Sequence, residues 1–221
     1  MRSSLKKALL KLEKEFRCCL VCGKWWGLCE WICDSCQKRA TNNLKNSSRF
    51  VKGLPTYQLI VWNEFNSFWV RPLIDSLKGG FYSVELKTLL EKDLCSRLNS
   101  EEFKVSFDGA VVIPAPSKNY GKRDHAYVMA EIYSQVLGIP LITPLIRMDE
   151  GSQRGRSRTE RSQVQVGLDK NYSCWDFDST SVIWVDDVLT TGATARACFE
   201  ALGKPKNFVV WTLAYRAFLL D

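Results

Sequence analysis

Two adjacent aspartates, Asp186 and Asp187, precede a run of hydroxyl and small residues that ends at Thr194. The hydroxyls and backbone N–H groups of this run are donors that suit a phosphate, and Gly192 lets the backbone approach it closely. Carboxylates beside a phosphate are tolerated if they accept hydrogen bonds from sugar hydroxyls. A ribose 5-phosphate meets both conditions. The predicted binding residues are Asp186, Asp187, Val188, Leu189, Thr190, Thr191, Gly192, Ala193 and Thr194.

A second anion site is predicted where the apolar run Val112-Ile113 ends in a proline-containing loop. Two prolines make this loop stiff, and it finishes with a hydroxyl and a lysine, donors that suit pyrophosphate. A plain β-turn is the alternative interpretation. The candidate residues after Pro114 are Ala115, Pro116, Ser117 and Lys118.

Six of the nine cysteines fall between residues 18 and 36, a cluster that indicates a metal site in a reducing compartment. Two Cys-x-x-Cys pairs can bring four thiolates onto one Zn²⁺ ion, and such a closed site is structural. Cys18 or Cys29 could replace a ligand in another register. Trp25, Trp26 and Trp31 between the pairs would cover the zinc site or stack on nucleobases. The predicted ligands are Cys19, Cys22, Cys33 and Cys36.

The segment from Arg147 to Arg161 is polar and dense in arginine. Together with a net charge of +7 and a pI near 8.9, it favours polyanionic partners. It would act as a lid over pyrophosphate or as an arm on a nucleic-acid backbone, through residues such as Arg154, Arg156 and Arg158. A solvated loop without function is the third interpretation.

The elements that must position these residues alternate between apolar strands and helices, which predicts a doubly wound α/β fold with a parallel sheet and ligands at the strand carboxyl ends. His125, the only histidine, precedes one helix. We interpret it as a capping or surface residue, with proton transfer as the alternative. Predicted strands are 57–62, 110–113, 182–185 and 208–213, and predicted helices are 68–77, 84–98, 126–137 and 193–202.

An amphipathic helix over residues 3–16 and the cysteine cluster precede a polar run at Lys45-Asn46-Ser47-Ser48, which we interpret as a linker. We therefore predict an N-terminal zinc module at 1–48 and a larger α/β domain at 49–221. No apolar stretch approaches the ~20 residues of a membrane span, and the N-terminus does not resemble a secretion signal. A cytoplasmic protein without membrane insertion is expected.

A hydrophobic strand, an Asp-Asp pair, two intervening residues and Thr-Thr-Gly resemble the phosphoribosyl pyrophosphate (PRPP) signature of type I phosphoribosyltransferases. That resemblance implies ribose binding at Asp186 and Asp187 and 5-phosphate binding at Thr190 to Thr194. With a four-cysteine module ahead of it, the chain resembles the ComF (GntX) family, which implies a link to natural competence and DNA uptake. Segments around Leu77, Pro114 and Gln153 agree with that family, whereas Arg123-Asp124-His125-Ala126 departs from its Arg-Gly-aromatic-Asn segment.

The expected activity is transfer of the phosphoribosyl group of PRPP to an unidentified acceptor, with Mg²⁺ required. Asp186 and Asp187 would hold the ribose while Lys118 stabilises the pyrophosphate leaving group. The alternative function is a catalytically silent protein that senses PRPP or binds single-stranded DNA. Other competence or DNA-uptake proteins are expected partners.

Overall fold

The computed structural model describes residues 47–62, 107–117, 123–148 and 164–216, together with helical positions 35, 70, 71, 74, 90, 91, 94, 95 and 98. The four predicted zinc ligands, Lys118 and the arginines from 154 to 161 lie outside the described residues. The zinc module and the division of the chain near residue 48 therefore stay predictions.

A five-stranded sheet forms the centre of the fold, in the order β1-β2-β7-β6-β3. All neighbouring strands run parallel except β1, which pairs antiparallel with β2. Its strands are β1 Ser47–Val51, β2 Leu54–Trp62, β3 Ala110–Pro114, β6 Ser181–Leu189 and β7 Phe208–Arg216. A separate antiparallel pair consists of β4 Leu145–Arg147 and β5 Val166–Leu168, and the helices are α1 His125–Leu137 and α2 Ala193–Ala201.

Each face of the sheet is covered by one hydrophobic cluster, because neighbouring residues on a strand point to opposite faces. Val111 and Val112 on β3 illustrate this: Val112 belongs to the cluster that contains Met129 of α1, and Val111 to the cluster that contains Cys198 of α2. All four side chains are at most 3% exposed. Burying an aliphatic side chain of this size contributes roughly 2 kcal/mol, so the continuous apolar runs specify a sheet covered on both sides.

The predicted α/β class with a mostly parallel sheet is confirmed, and all four predicted strands exist. All four are longer than predicted: β2 begins at Leu54, β3 continues to Pro114, β6 spans Ser181–Leu189 and β7 continues to Arg216. The interpretation of Ser47 and Ser48 as linker is wrong, because both lie in β1. Hydrogen bonding to β2 outweighs the polar composition of this edge strand.

Helix α1 begins and ends with the capping chemistry that its sequence encodes. Asp124 is the N-cap and its side chain accepts the N–H of Tyr127 at 3.1 Å, while Gly138 ends the helix at a φ of 67°. Both residues satisfy backbone groups that a helix end leaves without hydrogen-bond partners.

None of the helices within the described ranges is long and apolar enough to cross a membrane.

Candidate functional site

The carboxyl end of β6 extends past the neighbouring strand β3 and carries the acidic pair. β3 ends at Pro114, which pairs with Val185, and the N–H of Ala115 donates to the Val185 carbonyl at 2.7 Å. Beyond that point β7 is the one described strand that still pairs with β6, up to the pairing of Leu189 with Tyr215. The prediction that Asp186 follows the strand is therefore wrong in detail. The pair lies within β6, on a section that no strand of the described ranges covers on its β3 side.

Local hydrogen bonds fix both carboxylates. Asp186 Oδ1 accepts the N–H of Asp187 at 2.9 Å, and Asp187 Oδ1 accepts the N–H of Val188 at 2.8 Å. The Thr212 hydroxyl lies 3.1 Å from the Asp187 carbonyl, to which it can donate from β7. Because these bonds hold the backbone and the carboxylates together, the pair is organised before any ligand binds.

His125 links the acidic pair to the first turn of α1. Its Nε2 lies 3.3 Å from Asp187 Oδ2, and its side chain is 25% exposed. Ligand atoms of His125, Asp186 and Asp187 all lie within 4.8 Å of one another. The interpretation of His125 as a capping or surface residue is wrong, since Asp124 is the cap. The sequence carries no local signal for this contact, because it depends on the packing of α1 against β6.

Burial raises the pKa of Asp186 well above its ordinary value, and the nearby Asp187 carboxylate raises it further. Burial likewise raises the pKa of the Cys198 thiol, with Asp186 as the second cause. Cys198 is therefore an unreactive thiol of the core. Two adjacent carboxylates that are removed from water when the chain folds are a typical feature of functional sites.

This raised pKa predicts that Asp186→Asn stabilises the fold at neutral pH. The folded chain holds the Asp186 proton more tightly than the unfolded chain does. The stability from this group is thus complete below the ordinary pKa of 3.8 and is lost as the pH rises through the raised value. We expect the free energy of unfolding to increase by about 1 kcal/mol at pH 7, measured by urea denaturation, and to depend less on pH above 4. Asp178→Asn, on an exposed loop, is the control, and a destabilised Asp186→Asn would contradict the prediction.

The predicted phosphate loop connects β6 to α2. Gly192 is the N-cap, with a φ of 74° and no side-chain cap hydrogen bond, and the Thr191 hydroxyl accepts the Ala193 N–H at 3.3 Å. The helix cap is therefore a glycine rather than a threonine. Thr190 and Thr194 are half-buried, and Leu189 packs into the core, so it can offer a ligand only its backbone. N–H groups at such a helix N-terminus attract an anion.

A cavity of about 590 Å³ opens beside the end of β3. One wall is the predicted pyrophosphate loop, and another is the start of α1, where Arg123 is fixed by the Glu131 carboxylate. The remaining wall was not anticipated from the sequence and comes from the residues around β4, β5 and the following 3-10 turn. The lining residues are Pro114, Ala115, Pro116, Ser117, Arg123, Asp124, Tyr127, Thr143, Leu145, Ile146, Asp169, Asn171 and Tyr172.

The chain between β4 and β5 contains the arginine-dense segment. Met148 donates its N–H to the Gln165 carbonyl at 2.9 Å, so the two ends of this connection meet at the antiparallel pair. Leu145 and Ile146 of β4 line the cavity. Both ends of the arginine-dense segment are therefore held beside the cavity by β4 and β5. The sequence alone did not specify this position.

Comparison with known proteins gives one curated relative with significant sequence similarity. The competence protein ComFC of Bacillus subtilis (strain 168) is 30% identical over 107 residues, which is 47% of this chain and 43% of that relative. The chain therefore matches less than half of the relative's length. This similarity confirms the resemblance to the ComF family that the motifs indicated. No protein-family model matches the chain.

A solved structure of a purine phosphoribosyltransferase from Pyrococcus horikoshii Ot3 is also similar. It aligns with a TM-score of 0.36 and 19% identity, and the alignment covers 58% of this chain and 69% of that chain.

Proposed function

We propose that the chain binds PRPP, with the ribose hydroxyls at Asp186 and Asp187 and the 5-phosphate at Thr190 to Thr194. The observation that supports this most directly is the open end of β6. There two fixed carboxylates are followed, after four residues, by the N-cap Gly192 of a helix. Sugar hydroxyls donate to the first group and a phosphate accepts from the second, so one ligand can satisfy both.

The pyrophosphate of PRPP would lie at the proline loop. Ala115 to Ser117 are half-buried and line the cavity, and Ala115 is anchored to β6 by its bond to Val185. This anchor keeps the loop beside the acidic pair. The arginine segment rooted at β4 and β5 would then close over the pyrophosphate as a lid and exclude water. Lys118 is proposed to stabilise the leaving group from the end of the same loop.

We further propose that the reaction is phosphoribosyl transfer. The C1–O bond to pyrophosphate breaks through an oxocarbenium-like state, and the acceptor attacks C1. Asp186 and Asp187 hold the ribose, and their fixed negative charge lies where the sugar becomes positive. Magnesium, which the family resemblance implies, neutralises pyrophosphate when bound, and the carboxylate oxygens of the pair are donors suited to a hard cation.

Calorimetry of PRPP with and without Mg²⁺ tests the binding proposal. We expect binding that requires Mg²⁺ and that weakens about a hundredfold in Asp186→Ala, because hydrogen bonds to charged groups contribute about 1.5–3 kcal/mol each. Asp178→Ala is the matched control. This exposed aspartate precedes β6, at the opposite end of the strand from the pair. Absence of PRPP binding by the parent chain, or parental affinity in Asp186→Ala, would refute the proposed site.

A role in competence is proposed from the similarity to a competence protein. Under that role the chain would work in the cytoplasm beside other competence proteins.

Turnover assays distinguish a phosphoribosyltransferase from a catalytically silent protein that senses PRPP. Release of pyrophosphate from PRPP by the purified chain supports a transferase, whereas PRPP binding without turnover supports a sensor. Single-stranded DNA binding through the arginine segment belongs to the catalytically silent form.

A further inference from the structure

The turn between β1 and β2 packs directly against the predicted phosphate loop. A Cβ placed on Gly192 would lie 2.7 Å from Val51 Cγ1 and 3.3 Å from Lys52 Cγ, but 3.8 Å from Lys52 Cβ. Because Lys52 Cγ lies closer to Gly192 than Lys52 Cβ does, the side chain extends toward the predicted phosphate loop. Lys52 is an exposed residue, and the stem of its side chain passes beside Gly192.

The backbone of this turn is an unusual place for a lysine. Val51 pairs with Leu54, which leaves Lys52 and Gly53 as a two-residue hairpin loop with φ values of 51° and 76°. Positive φ at both positions is the pattern of a type I′ turn, in which Asn, Asp or Gly is strongly preferred at the first position. A lysine there costs conformational energy that those residues avoid. The turn is therefore not optimised for hairpin stability alone.

Two lysines near the C-terminal end of α2, Lys204 and Lys206, are paired with acidic side chains. Lys204 also has a positive φ, of 64°, but it follows the helix C-terminus and lies 3.4 Å from Glu200. Lys206 lies 2.9 Å from Asp178. Both are surface ion pairs on the side of α2 away from Gly192, whereas Lys52 lies at the helix N-terminus, where an anion is attracted.

We propose that Lys52 is a ligand of the 5-phosphate, so that the β1–β2 turn forms the outer wall of the phosphate loop. The loop supplies N–H and hydroxyl donors at fixed positions, and Lys52 adds a full positive charge on a flexible stem. This inference rests on the proposed function, since it assigns a further residue to that sugar-phosphate site. It also explains why a residue disfavoured in this turn occupies the position next to Gly192.

Lys52→Asn is the most informative variant, because asparagine suits the turn and lacks the charge. We expect the melting temperature to stay the same or rise, while affinity for ribose 5-phosphate and for PRPP falls about tenfold. Affinity for inorganic pyrophosphate should not change. Lys52→Arg should keep most of the affinity, and Lys204→Asn, which makes the same exchange at the other lysine of positive φ, should bind like the parent. Calorimetry measures all three ligands on the full chain.

The outcomes separate this inference from the proposed function. Parental affinity of Lys52→Asn for ribose 5-phosphate overturns the role of Lys52 and leaves the PRPP site intact. An equal loss for pyrophosphate also overturns it, because the charge would then act on any anion. A parent chain that binds neither ribose 5-phosphate nor PRPP overturns the proposed function and this inference together.

Discussion

Gly192→Ala is expected to lower the free energy of unfolding by about 3 kcal/mol and to remove detectable PRPP binding. Two costs add at this position. A side chain at a φ of 74° is strained by about 1 kcal/mol. The new methyl group would also overlap Val51 Cγ1 at 2.7 Å, and overpacking typically costs about 1–3 kcal/mol. Relief of the overlap must move the Val51 side chain, the β1–β2 turn or the phosphate loop, and a movement of either backbone segment disrupts the site.

Gly203→Ala is the matched control for this prediction. Gly203 has a φ of 79°, and no atom within 4 Å would meet its Cβ, so this variant has the backbone cost alone. The difference between the two variants in urea denaturation measures the contact with the turn. Val51→Ala in the Gly192→Ala background should recover part of the stability, since it removes the overlapping methyl group. Equal destabilisation of the two glycine variants would show that the contact carries no cost.

Removal of zinc is expected to unfold the predicted zinc module up to the start of β1 at Ser47 and to leave the α/β domain folded. We expect one Zn²⁺ per chain, with an apparent binding free energy of about 10 kcal/mol or more. Cys33→Ser should abolish the stoichiometric metal, as measured by elemental analysis. Limited proteolysis should then cut before Ser47 while the remainder of the chain resists. Because the same experiment locates the boundary, it also tests the proposed division into two domains.

Cysteines outside the two pairs give the controls for the zinc prediction. Cys174 is exposed within the α/β domain, and Cys174→Ser should keep full zinc content. Cys18→Ser and Cys29→Ser decide the register, since loss of metal in either one would replace a predicted ligand. A chain purified without zinc whose residues before Ser47 nevertheless resist protease would contradict the structural role of the metal.

The parts of the fold that the sequence predicted depend on short-range patterns. Continuous apolar runs such as 182–185 predicted strands buried on both faces, and helical spacing predicted α1 and α2. The strand order β1-β2-β7-β6-β3 could not be predicted from the sequence. Strand pairing depends on contacts between residues that are far apart along the chain. β4 and β5 were missed for a related reason: three residues each are too short to show a period.

The candidate site shows the same division between local and long-range information. Asp186 to Thr194 form one contiguous segment, so their types and spacing were sufficient to predict a sugar-phosphate site. His125 and Lys52 come from other elements and reach that segment only through packing on β6 and α2. Side chains delivered by distant elements carry no local signature, which is why the sequence suggested a capping role for one and no role for the other.

The contact between residue 51 and Gly192 also has a consequence for folding kinetics. The phosphate loop is complete only when the β1–β2 hairpin has docked, and a contact of such large sequence separation forms slowly because of the loop-closure entropy. Ligand affinity should therefore appear late during refolding, after the helices have formed. A partly folded chain would then leave PRPP free, and ligand binding would select the fully assembled sheet.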